Sequence, residues 1–126
     1  MNMKKNILLF LLVLWTLNSY SQWIQKNDLP NEYQGRNHPV TFAIDDTGYV
    51  LTGGREGGNL LADFYKYDAT MDSWEQLPDF PGGARSYSYG LTYDEMGYVG
   101  FGVGTEGYFN DLWKFDPESE TWTALS

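Results

Sequence analysis

One pattern occurs twice in the chain, and it limits the possible folds more than any other feature of the sequence. Residues 63–68 read Asp-Phe-Tyr-Lys-Tyr-Asp and are followed by Trp74, while residues 111–116 read Asp-Leu-Trp-Lys-Phe-Asp and are followed by Trp122. In both copies the Trp comes seven residues after the second aromatic residue. A doubled pattern of this length indicates an internal repeat, and a repeat predicts a fold built from similar units.

The repeat extends over most of the chain. The matched positions are Leu29-Pro30 with Leu77-Pro78, Gly35-Arg36 with Ala84-Arg85, residues 45–50 with residues 94–99, and Gly53 with Gly102. The offset is 48 or 49 residues, and it changes only in polar or glycine-rich stretches. Loops accept such changes, whereas a strand that slips by one residue turns every side chain to the other face. We therefore divide the chain into a first repeat, 29–76, and a second repeat, 77–126.

Each repeat contains four predicted β-strands. After residue 21 no apolar period near 3.6 residues is sustained, and Gly and Pro recur too often for a long helix. The predicted strands are residues 41–45, 49–53, 63–68 and 73–76 in the first repeat, and 88–94, 98–102, 111–116 and 121–125 in the second. Links 45–48 and 94–97 suit tight hairpins in which Asp opens the turn and Gly takes a positive φ. The sequence therefore predicts an all-β fold with two four-stranded antiparallel sheets.

The two repeats resemble the kelch repeat of β-propeller proteins. In the first repeat the resemblance rests on a glycine pair, an aromatic residue and a spaced tryptophan, which are Gly53, Gly54, Tyr67 and Trp74. The second repeat keeps three of these positions, as Gly102, Phe115 and Trp122, and departs from the pattern at Val103. The resemblance implies a kelch-type β-propeller with one four-stranded blade per repeat. In such a fold these residues have structural roles, because the aromatic residue and the tryptophan pack between blades.

A further strand is expected before the first repeat. Trp23-Ile24-Gln25 precedes Leu29-Pro30 much as Trp74-Glu75-Gln76 precedes Leu77-Pro78. We interpret residues 22–28 as an orphan outer strand of a closing blade, since propellers often close their ring with an N-terminal strand. A closed propeller needs about 4–8 blades. We therefore expect an incomplete ring, with the remaining blades in a longer chain of which this is an N-terminal fragment. An oligomer of two-blade chains is the alternative.

The first 21 residues have the layout of a secretory signal peptide. Residues 1–5 are short and basic, residues 7–14 are an unbroken apolar run, and Ser19 and Ser21 are small residues spaced for signal peptidase. The apolar run is shorter than the roughly 20 residues of a membrane-spanning helix. We expect cleavage after Ser21, export to a secreted, periplasmic or cell-surface location, and no stable membrane span afterwards. An uncleaved anchor is the alternative.

The charge of the chain argues against nucleic acid as a partner. Seventeen acidic residues against eight Lys and Arg give a net charge of −9. Removal of residues 1–21, which contain two lysines and no acid, changes this charge to −11. Binding to a phosphate backbone draws most of its affinity from cationic groups. We therefore expect a protein or carbohydrate ligand.

The sequence offers little for metal or redox chemistry. The chain has no cysteine and one histidine, His38, so neither a disulfide framework nor a zinc, copper or Cys–His site is supported. The paired acids at 45–46 and 94–95 lack the alternating pattern of calcium loops. We predict no metal ligands, no cofactor and no catalytic residues within this stretch.

Candidate binding residues lie in the longer loops predicted for one rim of the propeller, where binding groups gather on a rigid scaffold. They are Arg55, Glu56, Arg36, Arg85, Glu106 and Tyr108. The arginines suit a carboxylate or sugar hydroxyls, the two glutamates suit hydrogen-bond donors, and Tyr108 offers a ring for stacking. Arg36 and Arg85 occupy equivalent positions, which favours a role in tying adjacent blades. Arg55 has no equivalent and is the best candidate for ligand binding.

The leading hypothesis is an exported kelch-repeat segment that recognises a protein or a glycan without catalysis. Some proteins of kelch-like fold are enzymes, among them galactose oxidase and a sialic-acid mutarotase, so the resemblance also permits a carbohydrate-active enzyme. No residue here matches their catalytic sets, which inclines the interpretation towards a non-enzymatic role. A truncated gene product without activity is the third hypothesis.

Overall fold

The computed structural model describes residues 23–30 and 35–126, and these form two four-stranded antiparallel sheets. The strands of the first sheet are β1 (Val40–Ile44), β2 (Thr47–Leu51), β3 (Phe64–Asp68) and β4 (Ser73–Leu77), in that order. The second sheet has the same order, with β5 (Tyr89–Tyr93), β6 (Met96–Gly100), β9 (Leu112–Asp116) and β10 (Thr121–Ala124). The prediction of an all-β fold with one four-stranded sheet per repeat is confirmed.

Two shorter elements lie in the loops between the second and third strands of each sheet. A 3₁₀ turn, Glu56–Gly58, lies in the first repeat, and a hairpin of β7 (Val103–Gly104) and β8 (Gly107–Tyr108) lies in the second. The sequence did not predict this hairpin. Within the described residues no helix is long and apolar enough to cross a membrane.

The hairpin turns are tighter than expected. Ile44 pairs directly with Thr47, and Tyr93 pairs directly with Met96, so two residues rather than four form each link. The positive φ angles belong to Asp45 in the first turn and to both Asp94 and Glu95 in the second. The expectation that glycines 48 and 97 supply them is therefore wrong, because Asp tolerates the left-handed conformation in such turns. Consequently β2 and β6 begin two residues earlier than predicted.

The hydrophobic core lies between the two sheets. Side chains alternate along β1, so Val40, Phe42 and Ile44 are buried while the residues between them are exposed. Strand β1 faces β5 and β6 of the second sheet. The buried cluster comprises Val40, Phe42, Ile44, Tyr49, Leu51, Phe64, Leu77, Phe80, Val99 and Phe115. It includes members of both sheets, so each sheet depends on the other to cover its apolar face.

Aromatic pairs dominate this core. The rings of Phe115 and Trp122 lie 4.9 Å apart, and Phe115 meets Phe64 of the first sheet edge to face at 5.0 Å. Tyr67 and Trp74 form the corresponding pair in the first repeat at 4.7 Å, but neither belongs to the buried cluster, so this pair does not pack between the two sheets. Each such pair contributes about 0.5–1.5 kcal/mol beyond the burial of its surface.

Two glycines allow the sheets to approach closely. A Cβ atom at Gly97 would lie 2.6 Å from the Phe42 ring, and a Cβ atom at Gly90 would overlap the Val40 side chain. Between these positions Thr92 donates its hydroxyl hydrogen to the carbonyl of Ala43 at 2.7 Å. The second sheet therefore presents small residues where the first presents large ones.

Residues 23–30 have no strand within the described part of the chain, but Asn27 attaches this segment to the first sheet. The backbone and side-chain amides of Asn27 donate to Asp72, and Trp74 Nε1 donates to the Asn27 carbonyl at 2.9 Å. An outer strand of a closing blade would pair with strands of that blade, so this interpretation of residues 22–28 stays a prediction. The predicted signal peptide, residues 1–21, lies outside the described residues.

Candidate functional site

The loops at one end of the two sheets meet and form a continuous surface, which we call the rim. It consists of residues 35–39, 52–63, 79–88 and 101–111. Backbone bridges join these loops, with Asn37 and Gly54 exchanging hydrogen bonds of 2.9 Å and Ser86 pairing with Val103. All six candidate binding residues lie on the rim, as the arrangement of the loops predicts.

Arg85 is completely buried and forms the most elaborate contact of the rim. Its Nη1 and Nη2 donate to the two carboxylate oxygens of Asp111 at 2.7 and 2.8 Å. Further donors reach the carbonyls of Phe101, Gly82 and Gly83. The guanidinium group also lies 3.5 Å from the centre of the Phe109 ring. The side chain of Arg85 thus fixes several rim segments of the second repeat.

The backbone of Arg85 binds the other sheet. Its amide donates to the carbonyl of Leu61 at 3.1 Å, and its carbonyl accepts from the amide of Gly53 at 2.8 Å. Leu61 and Gly53 belong to the loop that follows β2. Because the side chain contacts the second repeat and the backbone contacts the first, Arg85 joins the two sheets.

Arg36 repeats the side-chain arrangement in the first sheet. Its Nη1 and Nη2 donate to Asp63 at 2.9 and 2.6 Å, and Nη1 also donates to the carbonyl of Thr52 at 2.9 Å. Asp63 and Thr52 are the repeat equivalents of Asp111 and Phe101. Both candidate arginines with equivalent positions therefore direct their guanidinium groups at carboxylates of the same chain.

The electrostatics of the Arg85–Asp111 pair favour the ionised carboxylate of Asp111. Burial of Asp111 acts to raise its pKa, but hydrogen bonds from Arg85 and Trp113, together with the Arg85 charge, outweigh burial and lower the pKa. The Trp113 indole donates to Asp111 at 2.9 Å. Asp111 is thus a fixed anion whose charge is balanced within the rim.

Arg55 lies beside the Arg36–Asp63 pair. Its Nη2 is 4.0 Å from Asp63 Oδ2, and its side chain is about a quarter exposed, at 24%. Its backbone amide donates to Asn59 at 2.8 Å, which closes the loop containing the 3₁₀ turn. The guanidinium groups of Arg36 and Arg55 therefore both lie near the Asp63 carboxylate.

The other candidates are exposed and belong to separate loops. Glu56 begins the 3₁₀ turn beside Arg55, whereas Glu106 and Tyr108 belong to the β7–β8 hairpin of the second repeat. Tyr108 is 92% exposed. The structure thus places Glu56 with Arg55 and places Glu106 and Tyr108 on the loop of the other repeat.

An aromatic cleft of about 520 Å³ lies at the second repeat and was not predicted. Its walls are Tyr87, Tyr89, Phe101, Gly102, Val103, Tyr108 and Phe109. Tyr87 and Phe101 have φ angles of 58° and 61°, which are uncommon for aromatic residues. The abundance of tyrosine between residues 87 and 108 was the only signal in the sequence, because the cleft depends on how the loops fold.

A polar groove of about 430 Å³ lies at the end opposite the rim. Here Lys66 Nζ lies 3.2 Å from Glu75 of its own sheet and 2.5 Å from Glu120 of the other sheet. The hydrogen bond with Glu120 is the main cause of the raised pKa of Lys66. The described residues contain no cluster of three or more His, Cys, Asp or Glu side chains that could hold a metal ion. We place the candidate ligand site at the rim near Arg55, whose side chain is partly exposed.

No protein-family model matches the chain. Curated N-acetylneuraminate epimerases are similar to it: the protein of Salmonella arizonae is 32% identical over 94 residues, which is 68% of this chain and 24% of that protein. The protein of Salmonella typhi is 31% identical over 93 residues, with 68% and 23% covered. The protein of Escherichia coli O1:K1 / APEC is 36% identical over 93 residues, with 68% and 24% covered. The chain therefore spans about a quarter of the length of the curated relatives it matches.

Among solved structures, one described as "Structure of YjhT" is similar over 88% of this chain and 42% of that chain. The TM-score is 0.72 at 19% sequence identity, so the likeness concerns the fold. The chain has the fold of a kelch-type β-propeller segment. Each four-stranded sheet is one blade, with β1 to β4 forming blade 1 and β5, β6, β9 and β10 forming blade 2.

Proposed function

We propose that the chain is part of a kelch-fold enzyme that acts on N-acetylneuraminate or a related acidic sugar. The supporting observation is the 32% identity over 94 residues to an N-acetylneuraminate epimerase. The match includes 68% of this chain, so it extends beyond the recurring residues of a single repeat. It favours the enzyme hypothesis over recognition without catalysis. The remaining blades of the ring would lie in further chain or, alternatively, in other copies.

Arg55 is the residue that we assign to the sugar carboxylate. Arg36 donates two hydrogen bonds to Asp63, and the partly exposed Arg55 lies beside this pair, with its Nη2 4.0 Å from Asp63 Oδ2. A guanidinium group matches a carboxylate with two parallel hydrogen bonds, which a lysine ammonium group cannot reproduce. Glu56, exposed beside Arg55, would accept hydrogen bonds from sugar hydroxyls. The proposed site therefore binds both the carboxylate and the hydroxyl groups of the ligand.

Export is a second element of the proposal. The signal-peptide pattern of residues 1–21 supports it, and an enzyme for free sialic acids would then meet its substrate outside the cytoplasm. Mass spectrometry of the chain recovered from an expressing bacterium tests this point. We expect cleavage after Ser21, so that the mature chain begins at Gln22. An intact N-terminus would contradict the proposal.

The ligand experiment uses the full chain and N-acetylneuraminate. Saturation-transfer NMR measures binding, and the decay of the minor anomer signal measures epimerisation. We expect binding that Arg55→Ala abolishes and Arg55→Lys weakens, because lysine keeps the charge but loses the paired hydrogen bonds. Lys26→Ala is the matched control, since Lys26 is exposed and its neighbour Asn27 binds Asp72 in the β3–β4 turn, at the end of the sheet opposite the rim.

Three outcomes would test the proposal. Equal binding of an N-acetylated sugar without a carboxylate, or unchanged binding by Arg55→Ala, would contradict the assigned role of Arg55. In a protein that contains the complete ring, binding without faster anomer exchange would favour non-catalytic recognition, which is the remaining candidate function.

A further inference from the structure

Charged side chains are segregated between the two ends of the blades. All three arginines of the chain lie on the rim. The hairpin turns at the opposite end, which we call the turn end, are residues 45–46, 69–72, 94–95 and 117–120. Seven of these twelve residues are acidic, and none is Lys or Arg. The turn end is therefore strongly negative, and its field attracts cationic groups.

The polar groove of about 430 Å³ lies at the turn end and includes residues of both blades. It is lined by four carboxylates, those of Asp45, Asp68, Glu75 and Glu120, and by the ammonium group of Lys66. Lys66 contacts Oε2 of Glu75 and Oε1 of Glu120, so it engages one oxygen of each carboxylate. The described residues of the groove therefore carry three more negative than positive charges.

The side chain of Tyr49 reaches this groove from the core. Its ring stacks on Phe42 at 5.0 Å and meets Phe115 edge to face at 5.3 Å, which fixes its position. The residue is only 7% exposed, yet it lines the groove. A ring that is held rigidly in the core thus carries a hydroxyl group to the groove.

The surroundings of the Tyr49 hydroxyl are the charged groups of the groove. Burial has the largest effect on the pKa of Tyr49 and raises it, followed by Lys66, which lowers it, and by Glu120 and Asp45, which raise it. These three charged residues all line the groove. Within the described part of the chain, no group forms a hydrogen bond with this hydroxyl. Because buried polar groups are stabilised by a partner, the hydroxyl is suited to pair with a ligand.

We propose that the groove binds an arginine side chain from a basic segment of a partner protein. A guanidinium group has five N–H donors in one plane and no acceptor. The carboxylates of Asp45 and Glu120 and the hydroxyl of Tyr49 are acceptors from both blades that one such group can join. A lysine ammonium group lacks the planar fork that pairs with a carboxylate through two hydrogen bonds. The chemistry of the groove therefore favours arginine.

A protein segment suits the turn end better than a free amine does. The acidic turns extend beyond the groove over both blades, so further basic residues of the same segment would also meet opposite charges. Each exposed ion pair contributes little alone, but linked contacts strengthen one another by raising the effective concentration. This site is separate from the proposed sugar site, which lies on the rim at the other end of the blades.

The test measures the fluorescence anisotropy of a labelled peptide of alternating glycine and arginine, mixed with the full chain at low salt. The matched peptide has citrulline in place of arginine, which keeps the side-chain shape and removes the charge. We expect the arginine peptide to bind and the citrulline peptide not to bind. Tyr49→Phe keeps the ring and removes the hydroxyl. It should weaken binding about tenfold, because a hydrogen bond to a charged group is lost.

Asp45 and Asp94 offer a matched pair of variants. They are repeat equivalents with φ angles of 51° and 50°, both are exposed, and of the two Asp45 lines the groove. Asparagine also tolerates this conformation, so each Asp→Asn change removes one charge and keeps the turn. We expect Asp45→Asn to weaken binding about two- to fivefold, as for an exposed ion pair. Asp94→Asn should weaken it less.

Equal losses for Asp45→Asn and Asp94→Asn would overturn the proposal, because the whole turn end would then attract the peptide. Absence of binding, equal binding of the citrulline peptide, or unchanged binding by a folded Tyr49→Phe chain would overturn it too. The aspartate pair leaves the core intact, so it decides the question if Tyr49→Phe does not fold.

Two competitors separate the remaining explanations. Spermidine that binds as tightly as the peptide would overturn the assignment to a protein segment and favour a free amine. Displacement of the peptide by N-acetylneuraminate would overturn the assignment to the groove, because the peptide would then lie at the rim. Absence of sugar binding has no effect on any of these results, so the two proposals fail independently.

Discussion

Replacement of Arg85 by methionine tests whether the buried arginines of the two repeats are energetically equivalent. Methionine keeps most of the side-chain volume and removes the charge and all the hydrogen-bond donors. Asp111 would then keep its negative charge in a largely buried position, with the Trp113 indole as its remaining side-chain donor. The carbonyls of Phe101 and Gly82 would lose the donors that Arg85 provides. The variant therefore leaves several polar groups unsatisfied at once.

The structure predicts a larger effect at Arg85 than at Arg36. Breaking a buried ion pair by removal of one partner costs about 3–5 kcal/mol, so we expect Arg85→Met to lower the free energy of unfolding by that amount. In the first repeat Arg55 lies 4.0 Å from Asp63 and would still compensate its charge. We therefore expect a loss of about 1–3 kcal/mol for Arg36→Met, which is the range for a buried group left partly unsatisfied.

Urea unfolding of the full chain at pH 7, followed by tryptophan fluorescence, measures both losses. The double variant Arg85→Met with Asp111→Leu should recover most of the stability, because an apolar pair of similar volume often replaces a buried ion pair without loss. Equal losses for Arg36→Met and Arg85→Met would refute the compensating role of Arg55. A loss below about 1 kcal/mol for Arg85→Met would refute the importance of burial, since exposed ion pairs contribute that little.

Three further outcomes follow from single contacts. Because the pKa of Asp111 is lowered in the folded state, its ionised carboxylate stabilises the fold above the unfolded-state pKa of about 3.9. Stability should therefore fall as the pH decreases below that value and through the folded-state pKa. Asp111→Asn should flatten this part of a plot of urea midpoint against pH. Tyr67 donates a hydrogen bond to Asp72 at 2.6 Å, which raises the pKa of Tyr67 to about 12. The stabilisation from this hydrogen bond should persist up to about pH 10 and disappear as the pH rises through about 12. Ultraviolet titration should show a lower pKa for Tyr67 in Asp72→Asn. Gly90→Ala should destabilise the chain by about 1–3 kcal/mol through overpacking against Val40, and urea unfolding should show partial recovery when Val40→Ala is added.

The strands were predictable because their determinants are local and repeated. Alternation of apolar residues sets which face of a strand is buried, and a second copy with the same spacing reduces the chance that the pattern is accidental. Thus Phe115 and Trp122 could be expected in the core from the doubled pattern alone. Strand ends were less predictable, because they depend on whether Asp45 and Asp94 adopt a positive φ in a two-residue turn.

Side-chain partners across the rim were not predictable from spacing. Arg85 and Asp111 are 26 residues apart, and their contact depends on how two loops fold over the ends of the strands. Repeat equivalence identified Arg36 and Arg85 as a pair with a shared role, although it could not name the carboxylates. The aromatic cleft was missed for the same reason, since its walls come from loop residues such as Tyr87 and Phe101 that lie far apart in sequence.

The position of Arg55 depends on the same contacts that hold the blades together. Gly54, which precedes it, exchanges backbone hydrogen bonds with Asn37, and Asn37 follows the buried Arg36. The loop entering a blade and the loop that carries the candidate ligand site are therefore fixed to each other by backbone and side-chain contacts. In blade 2 the equivalent of Gly54 is Val103, which pairs with Ser86 next to Arg85. Both blades thus hold their rim loops at fixed positions through equivalent contacts within the repeat. Under the proposed function, the unmatched Arg55 would bind the ligand without disturbing these contacts.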